Sequence, residues 1–177
     1  MTKLIIIAAL FCLAVPAALA APPAGQGQGA QSATPSASEL CKQQRRTIGM
    51  TAFRDLYAPT GSPTAAMTAC LTKQVVTTST AAKNAAMECK SERGATPESI
   101  AAFETEYGGT NSNKKNAFGK CVSEKATGDV EALQEATISA AKKCKSMRAS
   151  NRAGYEAAYG TKKNAFGKCV SKAKQSP

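Results

Sequence analysis

Residues 114–123 and residues 162–171 have the same sequence, KKNAFGKCVS. An identity of ten residues indicates an internal duplication, and the sequence on either side extends it. Before each decapeptide lie an aromatic residue, a tyrosine four positions later and, further back, the pattern Cys-Lys-x-x-Arg. One unit therefore opens at Cys89 and the next at Cys144, 55 residues later. A period of roughly 50 residues is typical of tandem-repeat proteins.

A degenerate copy precedes these two. It opens at Cys41, carries the aromatic pair Phe53 and Tyr57, and closes at Cys70. Met67 stands where the other copies have phenylalanine, and the Asn and Gly of the decapeptide are missing. Terminal repeats are often atypical because one of their faces caps the array. We therefore predict three units, numbered 1 to 3, at residues 39–75, 76–126 and 127–177.

The spacing of apolar residues predicts α-helices. Residues 129–149 carry an apolar stripe at alternating spacings of three and four, with Asp129 as the expected N-cap. A shorter helix is expected from Thr96, which precedes a proline and a glutamate. Gly108 and Gly160 follow the repeated tyrosines and suit left-handed C-terminal caps. Because no segment alternates with a period of two, the sequence predicts an all-α fold.

The N-terminal residues are expected to lie outside this fold. Residues 1–20 contain one positive residue, an unbroken apolar run of 12 residues and a final Ala-Leu-Ala, the features of a secretory signal peptide. The run spans a bilayer poorly, although an uncleaved anchor is the alternative. Residues 21–38 are uncharged and rich in Ala, Pro, Gly and Gln, which is typical of a disordered linker, either a tether or a tail without a task. Cleavage near Ala20 would release a soluble, exported chain.

Six cysteines remain after the predicted signal, two in each unit. Leu, Ile, Val and Phe together make up only 16 of the 157 residues from 21 to 177. So few large apolar residues cannot offset the conformational entropy lost on folding, and cross-links are the usual remedy. A metal site is the alternative, but the chain has no Cys-x-x-Cys pair. Six cysteines allow 15 pairings, and the sequence alone cannot choose among them. Since a copied unit should carry its own bridge, the duplication favours the disulfides Cys41–Cys70, Cys89–Cys121 and Cys144–Cys169, which we predict.

Arginine recurs four residues after each opening cysteine, at Arg45, Arg93 and Arg148. At that spacing it shares a helical face with the cysteine. A structural role is favoured, in which the arginine bonds terminal carbonyls or stacks on the tyrosine of its unit. Binding of a ligand is the alternative.

The positive charge is concentrated in the third unit. Residues 39–111 have a net charge of +1 and residues 112–138 have none, whereas residues 139–177 carry ten basic residues and one acidic residue. Such a cluster suits an anionic partner such as a cell-wall polymer, a membrane surface or a polysaccharide. Nucleic acid is disfavoured, because the chain is expected to be exported and its lysine-rich face lacks the interleaved exposed aromatic residues on which bases stack. A solvated face that keeps the protein soluble is the alternative. The residues predicted to bind the anionic surface are Lys142, Lys143, Lys145, Arg152, Lys162, Lys163, Lys168, Lys172 and Lys174.

The unit, with its Cys-Lys-x-x-Arg opening and its Asn-Ala-Phe-Gly-Lys-Cys-Val close, resembles a repeat of exported bacterial proteins of unknown function. The resemblance covers nearly all of residues 39–173. It implies no activity, substrate or catalytic residue.

No catalytic group stands out. The chain has no histidine, which excludes Ser-His and Cys-His nucleophile pairs. Glu104 and Glu106 are two apart on a helix and therefore point to different faces. We predict a non-enzymatic protein, without cofactor or metal, that is secreted or periplasmic and binds an anionic envelope or extracellular surface. A cationic membrane-active or antagonistic factor is the alternative, because residues 161–174 could form a basic amphipathic helix.

Overall fold

A computed structural model describes residues 34–109 and 114–175. Within these ranges the chain forms α-helices and no strand, which confirms the predicted all-α fold. None of the described helices is long and apolar enough to cross a membrane. The predicted signal peptide, residues 1–20, and residues 21–33 of the predicted linker lie outside the described residues. The helices are α1 (Ala37–Ile48), α2 (Met50–Tyr57), α3 (Pro63–Arg93), α4 (Pro97–Tyr107), α5 (Ala117–Ser150), α6 (Arg152–Tyr159) and α7 (Ala165–Ala173).

The first helix begins inside the predicted linker. The side chain of Ser36 accepts a hydrogen bond from the backbone N–H of Glu39 at 3.2 Å, and the Glu39 carboxylate accepts one from the Ser36 N–H at 3.1 Å. This capping box fixes the start of α1 at Ala37. Just upstream, the hydroxyls of Thr34 and Thr127 are 3.0 Å apart, so the end of the linker contacts α5.

Neighbouring units share their long helices. The helix α3 carries Cys70, which closes unit 1, and Cys89, which opens unit 2. In the same way α5 carries Cys121 of unit 2 and Cys144 of unit 3. The predicted divisions after residues 75 and 126 therefore lie within continuous helices.

Two predicted helix ends are wrong. Asp129, expected as an N-cap, lies in the interior of α5. The preceding Gly128 costs roughly 1 kcal/mol relative to alanine, which is too little to interrupt a helix that tertiary packing supports. Gly108 has a φ of −68°, and Gly109 takes the positive φ in its place. Gly160, which follows α6, has a positive φ of 86°, but its ψ of 170° lies outside the expected left-handed helical region.

The helix α4 begins where the sequence predicts. Thr96 accepts a hydrogen bond from the N–H of Ser99 at 3.2 Å, and Pro97 occupies the first helical position. At the other end the Tyr107 hydroxyl donates to a carboxylate oxygen of Glu92 at 2.9 Å, which raises the pKa of Tyr107 to about 12. The helix is thereby joined to the last turn of α3.

All three predicted disulfides are present. The sulfur atoms are 2.01 Å apart in Cys41–Cys70 and in Cys89–Cys121, and 1.96 Å apart in Cys144–Cys169. Each bridge joins two helices across the short helix of its unit, and every bridged cysteine is fully buried. Disulfides persist in oxidising surroundings such as the extracellular space, so the bridges indicate that environment for this chain.

Units 1 and 3 pack against each other, although unit 2 separates them in the sequence. They share one core, in which Phe53 of unit 1 lies in the same cluster as Phe166 and Val170 of unit 3. Unit 2 lies at the opposite ends of α3 and α5 and has a small core of its own around Phe103 and Ala117. The two long helices therefore form an antiparallel pair with a disulfide-linked unit at one end and two at the other.

Between these two ends, α1, α3 and α5 pack through small side chains. Alanines of α3 and α5 surround Leu40 and Val130. Beside them, the side-chain amide of Gln44 donates to the amide oxygen of Gln134 at 2.6 Å, and Gln134 donates to the Leu40 carbonyl at 2.9 Å. The Tyr57 hydroxyl donates to Gln44 as well. The buried polar groups of this region thus satisfy one another.

We expect loss of the Cys89–Cys121 bridge to loosen unit 2 alone. A disulfide that closes a loop of this size contributes about 3–4 kcal/mol in the chain-entropy model. Apart from the bridge, the buried residues of the cluster around it are Phe103 and Ala117. The variant Cys89→Ala/Cys121→Ala should therefore lose hydrogen-exchange protection in α4 while α1, α2 and α7 stay protected.

The matched variant Cys144→Ala/Cys169→Ala opens the core that units 1 and 3 share. It should lower the urea midpoint of the whole chain, measured by circular dichroism. If both variants lost hydrogen-exchange protection in the same helices, unit 2 would not unfold separately from units 1 and 3, and the prediction would be wrong.

Candidate functional site

The basic side chains predicted to contact an anionic surface are all exposed to solvent. They lie on the last turns of α5, at the start of α6, in the loop that follows α6, and along and just after α7. The structure therefore presents the positive charge of unit 3 outward. The residues concerned are Lys142, Lys143, Lys145, Arg152, Lys162, Lys163, Lys168, Lys172 and Lys174.

Some of these side chains line a cleft between units 1 and 3 with a volume of about 660 Å³. Unit 1 contributes the end of α2 and the loop after it, within residues 54–61. Unit 3 contributes the end of α5, the helix α6 and the loop into α7, within residues 148–166. The positive φ of Gly160, which favours glycine, turns the chain from α6 into that loop. The cleft exists only because units 1 and 3 pack together.

The cleft is strongly basic. Its five basic and two acidic side chains give a formal charge of 5 − 2 = +3. A concave surface with one sign of charge concentrates ions of the opposite sign. The acidic side chains are Asp55 and Glu156, and the basic ones are Arg54, Arg148, Arg152, Lys162 and Lys163.

Arg148 joins units 1 and 3 at the cleft. Its Nη1 lies 2.9 Å from Oδ2 of Asp55, and its guanidinium carbon lies 5.2 Å from the centre of the Phe166 ring. The expectation that this arginine stacks on the tyrosine of its unit is therefore wrong, because the ring beneath it is the phenylalanine of the decapeptide. Arg45 and Arg93, its counterparts, lie in the last turns of α1 and α3.

The second carboxylate of the cleft is also paired with an arginine. The Nε atom of Arg152 lies 2.7 Å from Oε1 of Glu156, one helical turn later, and this hydrogen bond raises the pKa of Arg152. The remaining basic side chains, Arg54, Lys162 and Lys163, form no ion pair within the described residues. Their charge is available to an anion from solution.

Tyr155 differs from the other cleft residues. The residue is 4% exposed, and its hydroxyl has no hydrogen-bond partner among the residues that the structure describes. Burial raises the pKa of Tyr155, and the positive charge of Arg148 acts in the opposite direction. The phenol is therefore protonated at neutral pH and can donate a hydrogen bond.

The other predicted residues lie outside the cleft. Lys142 and Lys145 precede Arg148 at successive spacings of three, so they lie along one flank of α5 that leads towards the cleft. Lys174 lies apart from them in a small pocket with Lys73. Partial burial and the charge of Lys73 lower the pKa of Lys174.

The unit 1 side of the cleft is not apparent from the sequence. Arg54 and Asp55 belong to a region that is nearly neutral overall, and nothing local indicates that they face unit 3. Tyr155 is visible in the sequence only as a member of an aromatic pair. A signal was nevertheless present, because the other two units have phenylalanine at the same position, Phe53 and Phe103.

Within residues 34–109 and 114–175, no cluster of Cys, Asp and Glu side chains could hold a metal ion. The chain matches no protein-family model, no curated protein and no solved structure. The resemblance to exported bacterial repeat proteins therefore rests on the repeat motif alone.

We expect the Arg148–Asp55 pair to couple units 1 and 3. The side chains are 37% and 19% exposed, so a double-mutant cycle with Arg148→Gln and Asp55→Asn should give a coupling of about 1 kcal/mol in urea unfolding. The matched cycle uses Arg152→Gln and Glu156→Gln, which form a pair within one helix at 81% and 34% exposure. Its coupling should be clearly smaller, because the pair is more exposed to solvent. Equal couplings would show that Arg148 does not hold the units together.

Proposed function

We propose that this protein is a non-enzymatic, exported helical repeat protein that binds an anionic surface of the cell envelope or of the extracellular space. The observation that carries the proposal is the charge of residues 139–177, a net +9. Nine of the ten basic side chains there are exposed and the tenth, Arg148, lines the basic cleft. A patch of this charge attracts an anionic surface over about one Debye length, roughly 10 Å at 0.1 M salt.

Export is supported by two independent features. Residues 1–20 have the charge, apolar run and small terminal residues of a signal peptide. Buried disulfides in every unit fit a protein that folds after leaving a reducing cytosol. Anionic envelope polymers and lipid headgroups attract a cationic surface of this kind.

A surface is favoured over nucleic acid as the partner. Binding of single strands uses exposed aromatic side chains on which bases stack. In the described part of unit 3, Tyr155 and Phe166 are buried and Tyr159 is half-buried. Leu133 is the large apolar side chain that this part exposes. The unit therefore offers charge without a stacking platform.

A membrane-active role receives less support. The apolar face of α7 would have to enter the bilayer, yet Phe166, Cys169 and Val170 are at most 2% exposed. Cys169 is also bridged to Cys144 in α5. Insertion would require α7 to leave the core that it shares with unit 1.

We expect the oxidised protein to bind vesicles that contain phosphatidylglycerol and not vesicles of phosphatidylcholine alone. The triple variant Lys142→Gln/Lys143→Gln/Lys145→Gln should bind at least tenfold more weakly, because each lysine near an anionic membrane contributes about 1 kcal/mol. Cosedimentation at low and high salt measures both effects.

The matched control is Lys42→Gln/Lys83→Gln/Lys90→Gln, which removes the same charge from exposed lysines of units 1 and 2. It should bind within about twofold of the unaltered protein, since these side chains lie outside the basic region. The same comparison on purified cell-wall polymer extends the test to the other class of surface. The proposal is wrong if both triple variants lose equal affinity on either surface, or if salt has no effect. Leakage of vesicle contents would instead favour the membrane-active alternative.

A further inference from the structure

The internal repeat allows each residue of unit 3 to be compared with its counterparts in the other units. Tyr155 corresponds to Phe53 and Phe103, each four residues before the repeated tyrosine. The three rings are 4%, 0% and 3% exposed. Each also packs on its tyrosine in the same way, with ring centres 5.0, 4.9 and 4.8 Å apart. Phenylalanine therefore fulfils the structural role of this position, and the fold does not need a hydroxyl there.

The hydroxyl that Tyr155 has and the two phenylalanines lack destabilises the fold when no ligand is bound. A buried donor without a partner loses its hydrogen bonds to water and gains none in return. The hydroxyls of Tyr57 and Tyr107 are satisfied, because Gln44 and Glu92 accept their hydrogen bonds. A buried polar group without a hydrogen-bond partner calls for an explanation, and one explanation is that a ligand supplies the missing partner.

The surroundings of this hydroxyl indicate the chemistry of a ligand. Tyr155 lines the cleft of charge +3, so its donor lies beside an excess of cations. Arg148 is oriented by Asp55 and by the ring of Phe166, and its ion pair uses one of five guanidinium N–H donors. An oxyanion is the group that accepts hydrogen bonds from a phenol and from arginines while neutralising the charge of nearby lysines.

We propose that the cleft between units 1 and 3 is a specific site for a phosphate group, which accepts a hydrogen bond from the Tyr155 hydroxyl and is held by Arg148, Arg54 and the lysines of the α6–α7 loop. A phosphate carries up to two negative charges and several acceptor oxygens, which suits both the net charge and the number of donors. The volume of about 660 Å³ leaves room for the group that carries the phosphate. Since the hydroxyl is itself shielded from solvent, side chains that line the cleft have to move when the phosphate enters.

This inference deepens the proposed function and rests on it, because it names the chemistry that the basic unit recognises within an anionic surface. The phosphate can belong to a soluble ester or to a lipid headgroup. These sources share the recognised group, and the experiment below separates them.

The test is calorimetric titration of the oxidised full chain with inorganic phosphate and with glycerol phosphate, at neutral pH and constant ionic strength in chloride. We expect saturable binding of both. Tyr155→Phe should raise the dissociation constant about tenfold, since a hydrogen bond to a charged acceptor is lost. In chloride alone the same variant should melt at the same temperature as the unaltered protein or higher, because it restores the residue of the other two units. Tyr107→Phe, a matched change remote from the cleft, should leave phosphate binding unchanged.

A second variant keeps the test independent of Tyr155. Lys162→Gln/Lys163→Gln alters two exposed side chains in a loop and should weaken phosphate binding several-fold, whereas Lys42→Gln/Lys90→Gln should not. Absence of saturable phosphate binding, or equal affinity in the unaltered protein, Tyr155→Phe and Lys162→Gln/Lys163→Gln, overturns the inference.

The two proposals fail in different ways. If phosphatidylglycerol vesicles bind in a salt-dependent manner while phosphate titrations show no saturation, the proposed binding of an anionic surface is supported and the proposed phosphate site is wrong. If phosphate saturates the cleft and no vesicle or polymer binds, the cleft stands without the surface. Where vesicle binding also weakens in Tyr155→Phe, the lipid headgroup is the source. Where only glycerol phosphate binding weakens, the source is a soluble ester.

Discussion

The structure depends on cross-links because the chain has few large apolar side chains to bury. Among the residues that the structure describes, the large apolar side chains at most 4% exposed are Leu40, Ile48, Phe53, Phe103, Val130, Tyr155, Phe166 and Val170. The six bridged cysteines are fully buried with them. The bridges thus serve twice. They fill the centre of each unit, and they restrict the unfolded chain so that less conformational entropy is lost on folding. The rest of the packing is left to alanine, which lets helices approach closely but contributes little buried area per residue.

The features that could be predicted from the sequence are local to one unit, and the disulfides are among them. A copied unit brings both of its cysteines, so the duplication that is visible in the decapeptide favours the within-unit pairs among the 15 possible pairings, and the structure confirms them. The helical stripe around Cys144 is equally local. The fusion of units into the long helices α3 and α5 is different, because it depends on the absence of a strong break between them. Asp129 is a good cap by composition, yet the helix continues through it since contacts with α1 and α3 stabilise its backbone.

The two sides of the candidate site differ in the same way, since one is visible in the local sequence and the other depends on a tertiary contact. Its unit 3 side follows from charge that can be counted along the chain, whereas its unit 1 side follows from a contact between segments about 90 residues apart, such as Asp55 and Arg148. No local pattern encodes that contact. It arises because the antiparallel pair α3 and α5 returns the chain to its starting end, which places unit 3 beside unit 1 and leaves unit 2 alone. Tyr155 is the exception, since comparison with Phe53 and Phe103 could have identified it without coordinates.

This topology also explains why two identical decapeptides need not share a function. Phe166 is 2% exposed because unit 1 covers it, whereas Phe118 in the same position of unit 2 is 36% exposed. A β-carbon added at Gly167 would lie 3.9 Å from the carbonyl oxygen of Leu56, whereas at Gly119 it would meet nothing within 4 Å. Unit 2 therefore has the repeated lysines, but within residues 34–109 and 114–175 no other unit covers its Phe118 as unit 1 covers Phe166. The chemistry of the site belongs to the junction of two units, and a repeat motif alone cannot specify a junction.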